Sequence, residues 1–230
     1  MDMKVPFEDF ESAKKFAELA IALVDSKFEA NFLKVLEFCF QYPEDVSGIA
    51  GSPKLSGKWI EKKANAFVNE RYTKKPSTTL NIPDPLITTI SEEYFNVEND
   101  NLEELLEHHK IAMAAENVTG SLLEEYIATV MEHLDWVRCS GTLITGTDFI
   151  KFPKVAGNKP VLLQIKNRSN SENSSSASIR KGTTIEKWYR LEAQTGITRW
   201  DEFPETDAKK LLSEAKFHEF AKGRIAEWKA

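Results

Sequence analysis

The chain has 230 residues, of which 41% are hydrophobic and 29% charged, and its formal net charge is -6. This composition excludes a disordered or fibrous protein, and no apolar run approaches the roughly 18 residues that a membrane span needs. The N-terminus mixes acids and bases where a secretory signal would be apolar, and Cys39 and Cys139 are too few for a disulfide framework. We therefore expect a cytoplasmic protein with reduced core cysteines, no membrane contact and a single domain over residues 1–230.

The net charge hides a separation of charge along the chain. Residues 82–135 hold thirteen acids against one base, a net of -12, whereas residues 151–200 hold ten bases against three acids, a net of +7. Residues 51–76 form a second basic block, with seven bases against two acids and a net of +5. The local field steers a ligand, so we expect the two basic blocks to share one face, with the acidic region largely behind it.

The first 80 residues predict a helical N-terminal layer. Apolar residues recur every three or four positions from Phe7 to Phe40, which is typical of two amphipathic helices with a break at Asp25 or Ser26. Ser56 then caps a predicted basic helix, whose N-terminal Lys58 could hold a DNA backbone; a solvated surface is the alternative for this helix.

The remaining predicted elements alternate between helices and strands. Asn101 begins an acidic helix toward Ala115, and a second helix follows the sequence Thr119-Gly120-Ser121. Short β-branched runs then predict strands in WVRC, TLITGTDFIKF and KPVLLQIKNR, and residues 183–193 and 207–228 are predicted to be helices. The expected fold class is α/β, with a mixed central sheet of about four or five strands flanked by helices.

Three polar residues interrupt the predicted strands in a pattern that indicates a functional site. Asp148 ends the run TLITGTD, and Gln164 and Lys166 stand two residues apart in the otherwise apolar run VLLQIK. Two-residue spacing on a strand places both side chains on one face, opposite Leu163 and Ile165. Glu124 or Glu125 of the preceding helix could add a carboxylate. A chance pairing of strands is the alternative interpretation.

A polar and cationic run follows this motif directly. Cations there can dock phosphates, while Asn and Ser can reach base edges in the major groove. The predicted DNA-contacting residues are Arg168, Asn170, Asn173, Ser174, Ser175, Ser176, Arg180, Lys181, Lys187 and Arg190. A plain surface loop is the alternative.

The pair Thr147-Asp148 with Gln164-Ile165-Lys166 resembles the PD-(D/E)xK nucleases, with Gln in place of the usual second acid. The runs TGTDF, LLQIKNRSNSENSSS and IRKGTTIEKWYR are similar to the SinI-type type II restriction endonucleases, and this similarity covers roughly residues 115–200. That resemblance implies the restriction-endonuclease-like fold, a homodimer, Mg²⁺-dependent cleavage of double-stranded DNA at a short near-palindromic site, GG(A/T)CC, and a companion methyltransferase. Residues 115–200 would then be the catalytic and DNA-recognition core.

The resemblance also implies roles for individual residues. Asp148 would be the principal metal ligand, Gln164 and the Ile165 carbonyl would support it, and Lys166 would position the attacking water. Glu124 would be the helix carboxylate, since it follows Gly120 by four residues as in the GxxxE form of this helix. Two other hypotheses remain: a structure-selective repair or junction nuclease, and a catalytically inactive DNA-binding protein, which Gln164 permits.

Overall fold

The computed structural model describes residues 2–77, 84–155, 158–169 and 184–230. The helices are α1 (Phe10–Asp25), α2 (Glu29–Gln41), α3 (Gly57–Asn69), α4 (Pro85–Glu93), α5 (Asn99–Met131), α6 (Thr206–Lys209) and α7 (Glu214–Lys229). The strands are β1 (Trp136–Arg138), β2 (Phe149–Lys151), β3 (Val161–Arg168) and β4 (Ile185–Leu191).

These strands form one mixed sheet in the order β1-β2-β3-β4. The first three are antiparallel neighbours, whereas β3 and β4 run parallel with Gln164 opposite Lys187. Alternate residues of β3 face opposite sides, so Leu162 joins a core with α1, α2 and α3, while Leu163 joins a second core with α5 and α7. The expected α/β class, with a mixed sheet flanked by helices and an N-terminal helical layer, is confirmed.

The N-terminal layer follows the predicted pattern closely. The Asp25 carboxylate accepts a hydrogen bond from the Lys27 N–H at 3.0 Å, and a single turn of 3-10 helix separates α1 from α2 there. The Ser56 hydroxyl accepts from the Trp59 N–H at 3.3 Å and caps α3. Both local predictions are confirmed, because each depends on a side chain bonding to backbone a few residues away.

The acidic and apolar helical segments are one helix of 33 residues, so the predicted second start after Thr119-Gly120-Ser121 is wrong. The Thr119 hydroxyl donates to the Ala115 carbonyl at 2.8 Å, back into the preceding turn. A hydroxyl used in this way continues the helix and leaves no cap for a new one.

Three other predicted elements differ from the structure. Residues 183–193 were predicted to be helical, but Ile185–Leu191 is strand β4, in which buried Trp188 and Arg190 alternate with less buried neighbours. The predicted helix over residues 207–228 is divided, and the Ser213 hydroxyl caps α7. The strand predicted over TLITGTDFIKF is confined to Phe149–Lys151, so Asp148 lies just before β2 and not at the end of a strand.

The two cysteines lie in the core, as expected. Cys39 and Cys139 are free and buried. Trp136, Trp188 and Trp200 are also buried. Within the described ranges, every helix is too short or too polar to cross a membrane.

Candidate active site

A cleft of about 550 Å³ lies between α5, the loop over residues 140–148, strand β3 and the segment that follows α3. Its lining includes Glu124, Arg138, Asp148 and Gln164. The structure therefore brings together three of the polar residues that the sequence motif singled out, and it adds an arginine to them.

Asp148 is held by strand β3 through both its backbone and its side chain. Its N–H donates to the Leu163 carbonyl at 2.9 Å, and its Oδ2 accepts from the Ile165 N–H at 2.7 Å. Burial and, next to it, the nearby Glu124 carboxylate raise the pKa of the Asp148 carboxyl to about 7. The Ile165 N–H and the positive charge of Lys166 act in the opposite direction. Asp148 thus lies in a fixed position beside a second carboxylate.

Glu124 reaches the same cleft from α5. Its Oε2 accepts from Nη2 of Arg138 at 3.1 Å. Burial raises the pKa of the Glu124 carboxyl, whereas Arg138 and Lys166 lower it. The Glu124 carboxylate raises the pKa of Asp148, so the two carboxylates lie close enough to interact, and such a pair of like charges favours a bound cation.

The neighbouring Glu125 has a different role. It is buried, it accepts from the Thr73 N–H at 2.9 Å, and its other oxygen accepts from Nε of Arg224 at 2.7 Å. Adjacent residues of a helix point about 100° apart, so only one of the two carboxylates can face the cleft. The structure places Glu124 there and uses Glu125 to join α5 to α7.

Gln164 and Lys166 lie on one face of β3, as their spacing predicts. Gln164 is buried and lines the cleft. Lys166 is half-buried and close enough to lower the pKa of both Asp148 and Glu124. In the part of the chain that the structure describes, the Lys166 amino group forms no ion pair within 4 Å. Lys166 is not among the residues that line the cleft, and its charge acts on the two carboxylates from beside it.

Sequence reasoning missed Arg138, which is buried at the floor of the cleft. Besides holding Glu124, its Nη1 donates to the Arg71 carbonyl at 3.0 Å, and Nη2 of Arg71 donates to the Arg138 carbonyl at 2.9 Å. The sequence contained one sign of this role, since Arg138 is the single charged residue in the short apolar run WVRC. A buried charge needs partners, and Arg138 finds them in Glu124 and the backbone.

Sequence reasoning also missed the residues after α3 as part of the site. Lys74 and Lys75 line the cleft and are exposed. The segment that carries them is anchored by buried Arg71 and by the bond from Thr73 to Glu125. The basic block over residues 51–76 thus reaches the cleft through Lys74 and Lys75.

The predicted DNA-contacting residues lie in several places. Arg168 is exposed at the end of β3, Lys187 is half-buried on β4, and Lys58 is half-buried in the first turn of α3. Asn170, Asn173, Ser174, Ser175, Ser176, Arg180 and Lys181 lie outside the described residues.

Arg190 was expected on the DNA-contacting surface, but its side chain is buried. It forms an ion pair with Glu214, and its Nε donates to Asn167 at 3.0 Å. In this structure its guanidinium joins β4 to α7 and offers nothing to a phosphate.

Comparison with known proteins gives three matches. A sequence model described as SinI restriction endonuclease matches residues 13–227. The chain is 36% identical to the type II restriction enzyme Eco47I of Escherichia coli over 94% of this chain and 95% of that protein. It is 34% identical to the type II restriction enzyme SinI of Salmonella infantis over 95% of this chain and 96% of that protein.

Proposed function

The chain belongs to the SinI restriction endonuclease family, and we propose that it is a type II restriction endonuclease that hydrolyses double-stranded DNA in the cytoplasm. The observation that carries this proposal is the convergence of Asp148, Glu124 and Gln164 on one cleft, with Lys166 beside it. A site-specific deoxyribonuclease needs such a set to hold a metal and to activate water.

The donor set of the cleft fits Mg²⁺. Two carboxylates and the amide oxygen of Gln164 are all oxygen ligands, which a hard cation prefers. The Ile165 N–H faces Asp148, and the carbonyl of a strand residue points the same way as its N–H, so the Ile165 carbonyl can join them. The described residues contain no cluster of three His, Cys, Asp or Glu side chains that could hold a metal. Gln164 is therefore needed to complete the set.

We assign roles in phosphodiester hydrolysis to the charged groups at the cleft and to Lys166 beside it. When bound, Mg²⁺ would supply a water of lowered pKa and neutralise charge on the phosphoryl oxygens. Lys166 orients the attacking water and balances the negative charge that develops on the phosphate. Arg138 is a positioning residue, because it holds the Glu124 carboxylate at 3.1 Å. The Ile165 N–H positions the Asp148 carboxylate in the same manner.

The DNA-contacting surface extends from the cleft along its cationic edges. Lys74, Lys75 and Arg168 are exposed and are the described residues best placed for phosphates. Phosphate contacts fix the register of a duplex, and base contacts specify the sequence. We assign base contacts to the run over residues 170–181, with GG(A/T)CC as the site that the family resemblance implies. A homodimer matches a near-palindromic site, and a companion methyltransferase would protect host DNA.

The test is cleavage of unmodified plasmid DNA in Mg²⁺ by the full chain and its variants. We expect discrete fragments from the wild type and none from Asp148→Ala or Lys166→Ala, with both variants still folded. Asp201→Ala and Lys159→Ala are matched controls, because both residues are exposed and lie outside the cleft. Nicking confined to branched DNA would favour a structure-selective nuclease. Sequence-specific binding without any cleavage would favour an inactive DNA-binding protein.

A further inference from the structure

Helix α4 and the first half of α5, residues 84–114, form what we call the acidic arm. It holds eight acids against Lys110, a net of -7. Of the nine buried residues of α5, only Leu102 and Ala114 belong to the arm, whereas the rest follow residue 121. A helix of 33 residues spans about 50 Å, so roughly half of it extends beyond the sheet that it packs on.

The acidic arm also carries an apolar stripe without a partner in the described structure. Leu86 and Ile90 of α4 and Tyr94, which directly follows this helix, recur every four residues and are 57%, 46% and 76% exposed. Phe95 and Ile111 are 67% and 52% exposed. Residues spaced by four lie on one helix face, and an exposed stripe of this kind is typical of a helix that docks into a groove.

A groove of about 700 Å³ lies between α5 and α7 and adjoins the cleft that holds Asp148, with which it shares Lys75 and Val118. Its lining includes the apolar residues Val118, Leu122, Ile225 and Trp228 and the exposed cations Lys222 and Lys229. No acidic side chain of the described residues lines it. Lys222 pairs with Glu219 at 2.8 Å, and the charged side chains that line the groove are all cationic, so the groove is apolar at its floor and carries positive charge at its rim.

We propose that the groove of each chain receives the acidic arm of a second copy. The arm and the groove are complementary in charge, and each supplies an apolar surface that the other can cover. An alternative dimer, in which arm packs on arm, would place a net charge of -7 against another -7. A two-fold axis would make the exchange reciprocal, so that one arrangement buries both arms and both grooves.

This inference rests on the homodimer of the proposed function and adds the surface that forms it. The groove shares Lys75 and Val118 with the lining of the cleft, but none of the charged residues exchanged below lines the cleft, so association and cleavage can be measured separately. If the wild type is a dimer and substitutions in the arm and in the groove leave its dissociation constant unchanged, the proposed interface is contradicted but the homodimer is not. A chain that is monomeric with and without DNA would contradict the homodimer as well.

A charge exchange tests the interface. In the arm variant, Glu103, Glu104 and Glu107 are replaced by Lys; in the groove variant, Lys222→Glu and Lys229→Glu are combined. Each variant alone would bring like charges together at both contacts, so we expect its dimer dissociation constant to rise at least about tenfold. Mixing the two restores opposite charges at both contacts, and the mixture should dimerise as the wild type does. Sedimentation of the full-length chains measures all three cases.

A control arm variant separates this effect from a change in total charge. Glu8, Glu11 and Glu37 are exposed acids of the N-terminal layer, and their replacement by Lys should leave the dimer intact. Phe95→Ser tests the apolar stripe without changing charge and should also weaken the dimer. The proposal is overturned if the mixture stays monomeric while both variants are folded. It is equally overturned if either charge variant dimerises alone as well as the wild type does.

Discussion

Replacing Gly141 by alanine should destabilise the protein and displace the loop that carries Asp148. Gly141 has a φ of +76°, and a Cβ added there would lie 2.6 Å from the Phe67 nitrogen and 2.9 Å from the Ala66 carbonyl carbon. The left-handed backbone costs a Cβ-bearing residue about 1 to 2 kcal/mol. Overpacking against backbone that cannot rotate away adds about 1 to 3 kcal/mol. We expect a total loss of about 3 kcal/mol.

Gly196→Ala is the matched control for this prediction. Gly196 has a φ of +69°, but a Cβ there would meet nothing within 4 Å, so only the backbone cost of about 1 kcal/mol applies. Urea unfolding of both variants measures the difference, and plasmid cleavage measures the effect on the loop. We expect Gly141→Ala to lose at least about tenfold in cleavage rate, since small displacements of catalytic groups are costly. Equal losses of stability in the two variants would refute the packing argument.

Three further perturbations address the site. Lys74→Gln and Lys75→Gln should each reduce the slope of log K against log [salt] for DNA binding by about 0.9. Lys62 is exposed on α3 outside the cleft, so Lys62→Gln should leave this slope unchanged. Glu125→Ala should cost about 2 kcal/mol in urea unfolding, because it leaves the Thr73 N–H without its acceptor and removes one of the two carboxylate partners of Arg224, which keeps Glu227. An unchanged midpoint would contradict its structural role. The Asp148 pKa of about 7 exceeds its unfolded value, so the metal-free protein loses stability as pH rises from about 4 through 7. Asp148→Asn should therefore raise the melting temperature in chelator at pH 8 and leave it unchanged near pH 3, and a gain at both pH values would refute this cause.

Much of the site was predictable because its key spacing is local. The two-residue separation of Gln164 and Lys166 determines their common face once the run is a strand, and no long-range contact is needed. The Ser56 cap of α3 and the break at Asp25 are local for the same reason. The strand over residues 185–191 was not predictable in this way, because it is defined by parallel pairing with β3.

The sequence by itself determined the α/β class, the N-terminal helical layer and the strand that carries the Gln-x-Lys motif, since these follow from periodicity and short-range bonds. Only the tertiary structure decided between Glu124 and Glu125. Two adjacent helix carboxylates have the same local surroundings, and their different partners, Arg138 and Arg224, come from distant parts of the chain. The structure likewise brought Lys74 and Lys75 to the cleft and withdrew Arg190 into an ion pair with Glu214. The sequence gives the sign of the net charge of a segment, whereas packing decides which of its cations reach solvent.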